Sequence, residues 1–308
     1  SRTNLLILIF MLYRKIVKYE DIFSEIQSKY LIQERHFMSS SLRNFIFKKN
    51  NGEKTILFQR NIAQLNGPEM FSCADLFFSM GKKSHLQYLE CGCDFKKIFP
   101  VGSFFLNSLK LQKENLAQVP KFDLLHIASN MNHFQNTHKS FLDDWYEQFS
   151  WLVKFNQKFP EYKICIKGRE NDGLRQNKKF NSIIKNSEII FIDKFKEEKN
   201  NSFKYNSNHS YNFAFNAKVN CTWQSTVGFE LIGHGKPCIY LDPGGRNTAH
   251  LPNDKYYNAL KVKSYDEFEK EFFNVKKNIS KTNILEKDDY CLNSDTTHDR
   301  ILKILKNN

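Results

Sequence analysis

The chain has 308 residues, 41% apolar and 26% charged, which excludes a disordered polymer and allows two domains with cores of their own. Its 46 basic and 33 acidic residues give a net charge of +13, so an anionic partner is expected: nucleotide phosphates, an anionic membrane face or nucleic acid. Seven cysteines, an odd number, exclude a fully paired disulfide framework, and Cys91-Gly92-Cys93 has the wrong spacing for a zinc knuckle.

The first apolar run, Leu5 to Tyr13, falls far short of the roughly 20 residues that cross a bilayer, and a buried strand or helix start is expected there. Residues 14 to 48 read mainly as helix, with Ile16, Ile22, Phe23, Ile26 and Tyr30 on one face and a serine break at Ser39-Ser40-Ser41. Asn50-Asn51-Gly52 is a turn, and Thr55 to Phe58 a strand that ends in Gln59-Arg60-Asn61. A second strand runs from Cys73 to a glycine turn at Gly81. A helix over Lys83 to Cys91 and a short strand from Ile98 follow it, ending at Val101-Gly102-Ser103. From about Phe104 to Lys121 the pattern loosens into polar residues and proline, which sets the expected division: an N-terminal domain over 1–112 and a C-terminal one over 113–308.

Phe122 to Ala128 is the first strand of the second half, followed by a polar loop. The helix Phe141 to Phe159 turns Trp145, Phe149, Leu152 and Phe155 inward, and Pro160 closes it. Strands are expected at Lys163 to Lys167 and Ile189 to Ile192, with a short helix between them and a basic surface loop from Lys194 to Ser210. Helices are also expected at Tyr265 to Val275 and Ile301 to Leu305. Strands alternating with helices give an α/β fold. The early part is mostly helical and lacks the several strands of a full Rossmann-like half, so truncation at Ser1 is expected.

The stretch from Lys218 to Gly245 carries the functional case. A short strand reaches Gln224-Ser225-Thr226, where a hydroxyl can cap a helix that Gly233 and Gly235 stop before the strand Cys238 to Leu241. Such a turn lies at the carboxyl end of a strand, where backbone amides and hydroxyls suit a pyrophosphate. Glu230 could accept from a ribose, and Lys167 and Arg169, ending another strand, could neutralise phosphate. His126, His133 and His138 cluster around a strand end, so one of them is a candidate base or phosphate contact. Asp75 is a further candidate base, and the Asp242-Pro243-Gly244-Gly245-Arg246 turn a further place for amides to approach a ligand. No Asp-x-Asp pair ends a strand, so no dedicated metal site and no cofactor are expected.

Ser225-Thr226-Val227-Gly228-Phe229-Glu230, followed by Gly235-Lys236-Pro237 and a hydrophobic strand, resembles the nucleotide-binding signature of GT-B glycosyltransferases. The likeness is to those that build bacterial surface polysaccharides: capsular Kdo transferases, polysialyltransferases and glycerophosphotransferase-like enzymes. The resemblance implies two Rossmann-like domains facing a cleft, with Gln224, Ser225, Thr226 and Glu230 around the nucleotide of an activated sugar. Lys163 to Glu170 resembles a segment ending in Lys-Pro-His-Pro, but keeps only its lysine, as Lys167. Thr55 to Asn61 resembles a strand ending in Gln-His-Gly, with Gln59 kept and Arg60 in place of the histidine. Gln59, Arg60, His126 and His133 are therefore the expected catalytic set.

The function implied is a metal-independent transferase that moves a sugar from a nucleotide-sugar to a surface polysaccharide or lipid-linked acceptor. It would work in the cytoplasm, with a peripheral contact at the anionic inner membrane face. A nucleotide-sugar epimerase of the same fold and a catalytically inactive nucleotide-binding scaffold are the alternatives. Nucleic acid is not an expected partner, because no recognised binding motif accompanies the basic charge.

Overall fold

The computed structural model describes residues 5–33, 40–60, 62, 72–103, 120–129, 139–168, 174–192, 209–245, 252, 254–277, 286–293 and 297–307. Two parallel sheets organise them.

The first half carries β1 (Tyr30–Gln33), β2 (Lys54–Phe58), β3 (Cys73–Ser79) and β4 (Asp94–Pro100) as one sheet in the order β1-β2-β3-β4. Its helices are α1 (Leu5–Glu25), α2 (Ser41–Lys49) and α3 (Leu86–Glu90). Ser40 caps α2 by accepting from the Arg43 amide at 3.4 Å, as the serine break implies. Two expectations need correction here. Tyr30 belongs to a strand, paired with Lys54, and not to the helix before it. Leu5 to Tyr13 is helical but not buried, since all nine side chains are exposed.

The second half carries six strands: β5 (Leu124–Ile127), β6 (Ile164–Lys167), β7 (Ile190–Ile192), β8 (Val219–Thr222), β9 (Cys238–Leu241) and β10 (Lys261–Val262). Their spatial order is β10-β9-β8-β5-β6-β7, all parallel. Counted from β5 and read from the far edge, this is the 3-2-1-4-5-6 order of a doubly wound dinucleotide-binding sheet. Helices α4 (Lys139–Lys158), α5 (Lys178–Ile184) and α8 (Tyr265–Lys277) cover one face. Helices α6 (His209–Asn216) and α7 (Thr226–Gly233) cover the other. Trp145, Phe149, Leu152 and Phe155 form the fully buried stripe of α4, each side chain contributing roughly 1.5–3 kcal/mol by its removal from water.

The chain then returns to the first half. Short helix α9 (Lys287–Tyr290) lies against the exit of β3, where the Lys82 amide donates to the Asp288 carbonyl at 2.8 Å and the Leu292 amide to the Met80 carbonyl at 2.8 Å. The last helix, α10 (Thr297–Asn307), packs Ile301, Ile304 and Leu305 on Ile56, Leu76 and Phe78 of the first sheet. The sequence division at 112 assigned this helix to the second half, but its apolar stripe completes the core of the first. The expected boundary stretch, 104–119, lies outside the described residues.

Candidate functional site

In the second sheet, β6 and β7 build outward on one side of β5, and β8, β9 and β10 on the other. The crevice between the carboxyl ends of β5 and β8 is therefore the topological switch point, where open α/β sheets take up ligands. Its two exits are Ser129 and Gln224-Ser225. Ser129 Oγ donates to the Gln224 carbonyl at 2.9 Å, and the Gln224 amide donates to Ser129 Oγ at 3.2 Å, which ties the exits together. Sequence reasoning missed Ser129, because a serine after an apolar strand looks like any loop start. Only the pairing of β5 with β8 gives it a role.

Helix α7 starts at this crevice. Ser225 has extended backbone (φ −148°, ψ 132°), and its Oγ accepts from the Val227 amide at 3.3 Å, so it is the N-cap that the sequence implies. The Ile62 amide, beyond the end of β2, donates to Thr226 Oγ1 at 3.4 Å and so meets the helix start. The positive end of the α7 dipole thus points into the crevice. Ser225 and Gln224 are each 8% exposed.

Glu230, one turn into α7, is buried. Its Oε1 accepts from Ser103 Oγ and its Oε2 from Tyr211 OH. Burial pushes its carboxyl up to about 7, and the two hydroxyl donors oppose that rise. Its two oxygens join the exit of β4, α6 and α7, whereas the sequence reading aimed them at a ribose. Gln59, also buried, turns its Oε1 to the Met80 amide and Ser84 Oγ, both at 2.8 Å, and so fixes the turn after β3. Arg60 beside it is half-buried.

His126 is not at a strand end facing a cleft. The pleat of β5 sends Leu124, His126 and Ala128 to the face covered by α4, so the imidazole is fully buried. It meets the Phe149 ring edge-on at 5.4 Å and lies 3.4 Å from Cys221 Sγ. Burial holds it down to about 3, outweighing the Gln148 amide nearby. A neutral core imidazole neither abstracts a substrate proton nor meets a phosphate.

Lys167 ends β6, 7% exposed, and its Nζ donates to the Gly168 carbonyl at 2.6 Å. Ile127 pairs with both Lys167 and Thr222, so Lys167 lies two strand spacings, about 10 Å, from the β8 exit. Asp75 is also removed from the crevice. It sits near the amino end of β3, accepts from the Thr55 amide and hydroxyl, and pairs with Lys48 and Lys96 at 2.8 Å each. Although burial works against ionisation, these cations and hydrogen bonds hold its carboxyl well below the ordinary range. The turn after β9 is confined by Asp144, whose carboxylate a side chain at Gly244 would strike. His133, His138, Arg169 and Arg246 lie outside the described residues. Among the described residues no group of three or more His, Cys, Asp or Glu side chains could hold a metal.

Two parallel sheets, the second doubly wound and the chain returning at its end to the first, define a GT-B-like α/β fold of the Rossmann type. No protein-family model and no curated protein matches the chain. Among solved structures it is similar to the UDP-GlcNAc 2-epimerase of Methanocaldococcus jannaschii in complex with UDP-GlcNAc and UDP, with a TM-score of 0.59 and 14% identity over 96% of this chain and 81% of that one. It is likewise similar to a Listeria monocytogenes protein assigned as a UDP-N-acetylglucosamine 2-epimerase (TM-score 0.61, 16% identity, 96% and 77% of the two chains). The structure of TarM matches more loosely, with a TM-score of 0.51 and 13% identity over 94% of this chain and 57% of that one. These likenesses show a GT-B-like fold and do not reach the narrower expectation of a Kdo- or polysialyl-transferase type.

Proposed function

We infer that the chain is an enzyme acting on a nucleotide-sugar, and that epimerisation of a UDP-N-acetylhexosamine is its reaction. The observation that carries this reading is a coincidence of place. The fold matches UDP-GlcNAc 2-epimerases over 96% of the chain, and its switch point falls on the Gln224-Ser225-Thr226 stretch. The pyrophosphate would lie at the start of α7, held by backbone amides and the Ser225 and Thr226 hydroxyls, with Lys167 toward the sugar side.

Inverting a carbon beside the anomeric centre requires a proton to leave one face and another to arrive on the opposite face. With His126 in the core and Glu230 clasped, the sequence following β5, which contains His133, and that following β6, which contains Arg169 and Glu170, supply the candidate carriers.

Transfer of the sugar to a glycan or lipid-linked acceptor is the second reading, favoured by the Ser225 to Glu230 and Gly235-Lys236-Pro237 signature. In both readings the protein works in the cytoplasm beside an anionic membrane face.

Incubation with UDP-GlcNAc in D2O, followed by NMR, separates them. Deuterium at C2 with appearance of the C2 epimer is the expected result. Acceptor-dependent release of UDP without C2 exchange would replace epimerisation by transfer. Neither product would overturn both.

A further inference from the structure

Nine consecutive apolar residues, Leu5 to Tyr13, open α1, and every one is between 47% and 73% exposed. The rest of α1 is an ordinary packed helix: Ile16, Tyr19, Ile22 and Phe23 meet Ile46 and Phe47 of α2 and its neighbours. The first turns project beyond this contact. These turns are apolar all round, the character of a helix surrounded by protein core or by lipid, and the charge beside them decides between the two.

Charge selects the kind of lipid. Arg14, Lys15 and Lys18 follow the apolar turns directly and are exposed, and no acidic residue occurs between Leu5 and Tyr19. Anionic headgroups are their complement. Length then selects the mode. No helix among the described residues is long and apolar enough to cross a membrane. Nine residues of helix cover about 14 Å, less than half a bilayer with its headgroups. In the sequence Arg2 stands on the far side of the run, so charges bracket it at both ends.

We propose that the Leu5–Tyr13 turns of α1 are a monotopic anchor, embedded in one leaflet of an anionic membrane with Arg14, Lys15 and Lys18 at its headgroups. The proposal gives the membrane part of the functional reading a specific segment and is independent of the nucleotide-sugar part.

Flotation of the full chain with phosphatidylcholine vesicles, with or without phosphatidylglycerol, tests it in the absence of nucleotide. The protein is expected to float with the anionic vesicles, with a partition coefficient about tenfold or more above that for neutral ones. The Leu6→Glu/Ile9→Glu double variant is expected to stay at the bottom with an unchanged melting temperature, because both side chains face solvent. Lys15→Glu/Lys18→Glu is expected to fall to the neutral-vesicle level. Binding that survives Leu6→Glu/Ile9→Glu would overturn the proposal, as would wild type that ignores both vesicles. A lipid-free dimer that the same double variant dissolves, with no flotation, would assign the segment to a second copy of the chain instead. Nucleotide binding measured without lipid reports separately on the enzymatic reading.

Discussion

Ser103 donates its hydroxyl to the Glu230 carboxylate across 127 positions of sequence, joining the exit of the first sheet's last strand to the helix that opens the candidate site. Tyr211 of α6 holds the other carboxylate oxygen at 2.5 Å. The contact makes Glu230 a clasp between the two halves, and its chemistry can be measured.

Burial raises the Glu230 carboxyl from 4.5 to about 7. Between those values the folded chain keeps a proton that the unfolded chain has released. Stability from this group is therefore lost as pH rises through the window, by roughly 3 kcal/mol in total. Glu230→Gln is expected to abolish that slope in urea melts between pH 5 and pH 8. An unchanged slope would remove Glu230 as its source.

His126 acts in the opposite direction. Its folded value of about 3 lies below the ordinary 6.5, so the unfolded chain takes up a proton that the folded chain refuses. Stability falls as pH drops through 6.5 and levels off near 3, by on the order of 5 kcal/mol. His126→Leu is expected to flatten the acid side of the stability profile and to leave nucleotide binding unchanged. Loss of binding in a folded His126→Leu protein would return the imidazole to the site.

Gln59→Leu distinguishes a scaffold from a catalyst. The Met80 amide and the Ser84 hydroxyl would lose their buried acceptor, at a cost of about 1–3 kcal/mol. Turnover per folded molecule is expected to hold. A large fall in kcat with unchanged melting would make Gln59 catalytic.

The returning C-terminal segment depends on two glycines. A Cβ at Gly81 would strike the Asp289 and Tyr290 carbonyls, and one at Gly233 the Cys291 backbone. Gly233→Ala is expected to cost about 1–3 kcal/mol by overpacking. Gly235→Ala, at φ +74° with open space around it, is expected to cost about 1 kcal/mol from backbone strain alone. Equal effects, read in denaturant midpoints, would mean that the segment yields to Gly233.

Much of the second half was legible because its signals are local. The α4 stripe repeats at helical spacing, Ser225 precedes an apolar run, and Cys238 to Leu241 is a continuous buried strand. Gly233 and Gly235 stop the helix as their sequence implies, Gly233 as its last residue and Gly235 in the left-handed turn. Strand β1 was missed because four residues paired with a single neighbour, following a helical pattern, carry little period of their own. Helix α6 was missed because it emerges from an Asn-rich stretch that reads as loop. The place of His126 was accessible in principle, since alternation with Leu124 puts it on an apolar face. The partners of Glu230 were not, because tertiary packing brings Ser103 and Tyr211 to it.

The most direct test of the candidate site is UDP titration of wild type and Ser225→Asp by calorimetry, with melting temperatures measured in parallel. Aspartate caps a helix about as well as serine, so the fold is expected to hold. Its carboxylate would stand where the pyrophosphate is placed, and a repulsion of a few kcal/mol at about 4 Å would weaken binding at least tenfold. Wild type that binds UDP while an equally stable Ser225→Asp does not would fix the phosphate at the start of α7. Equal binding by both proteins, or none by either, would contradict a nucleotide-sugar site there.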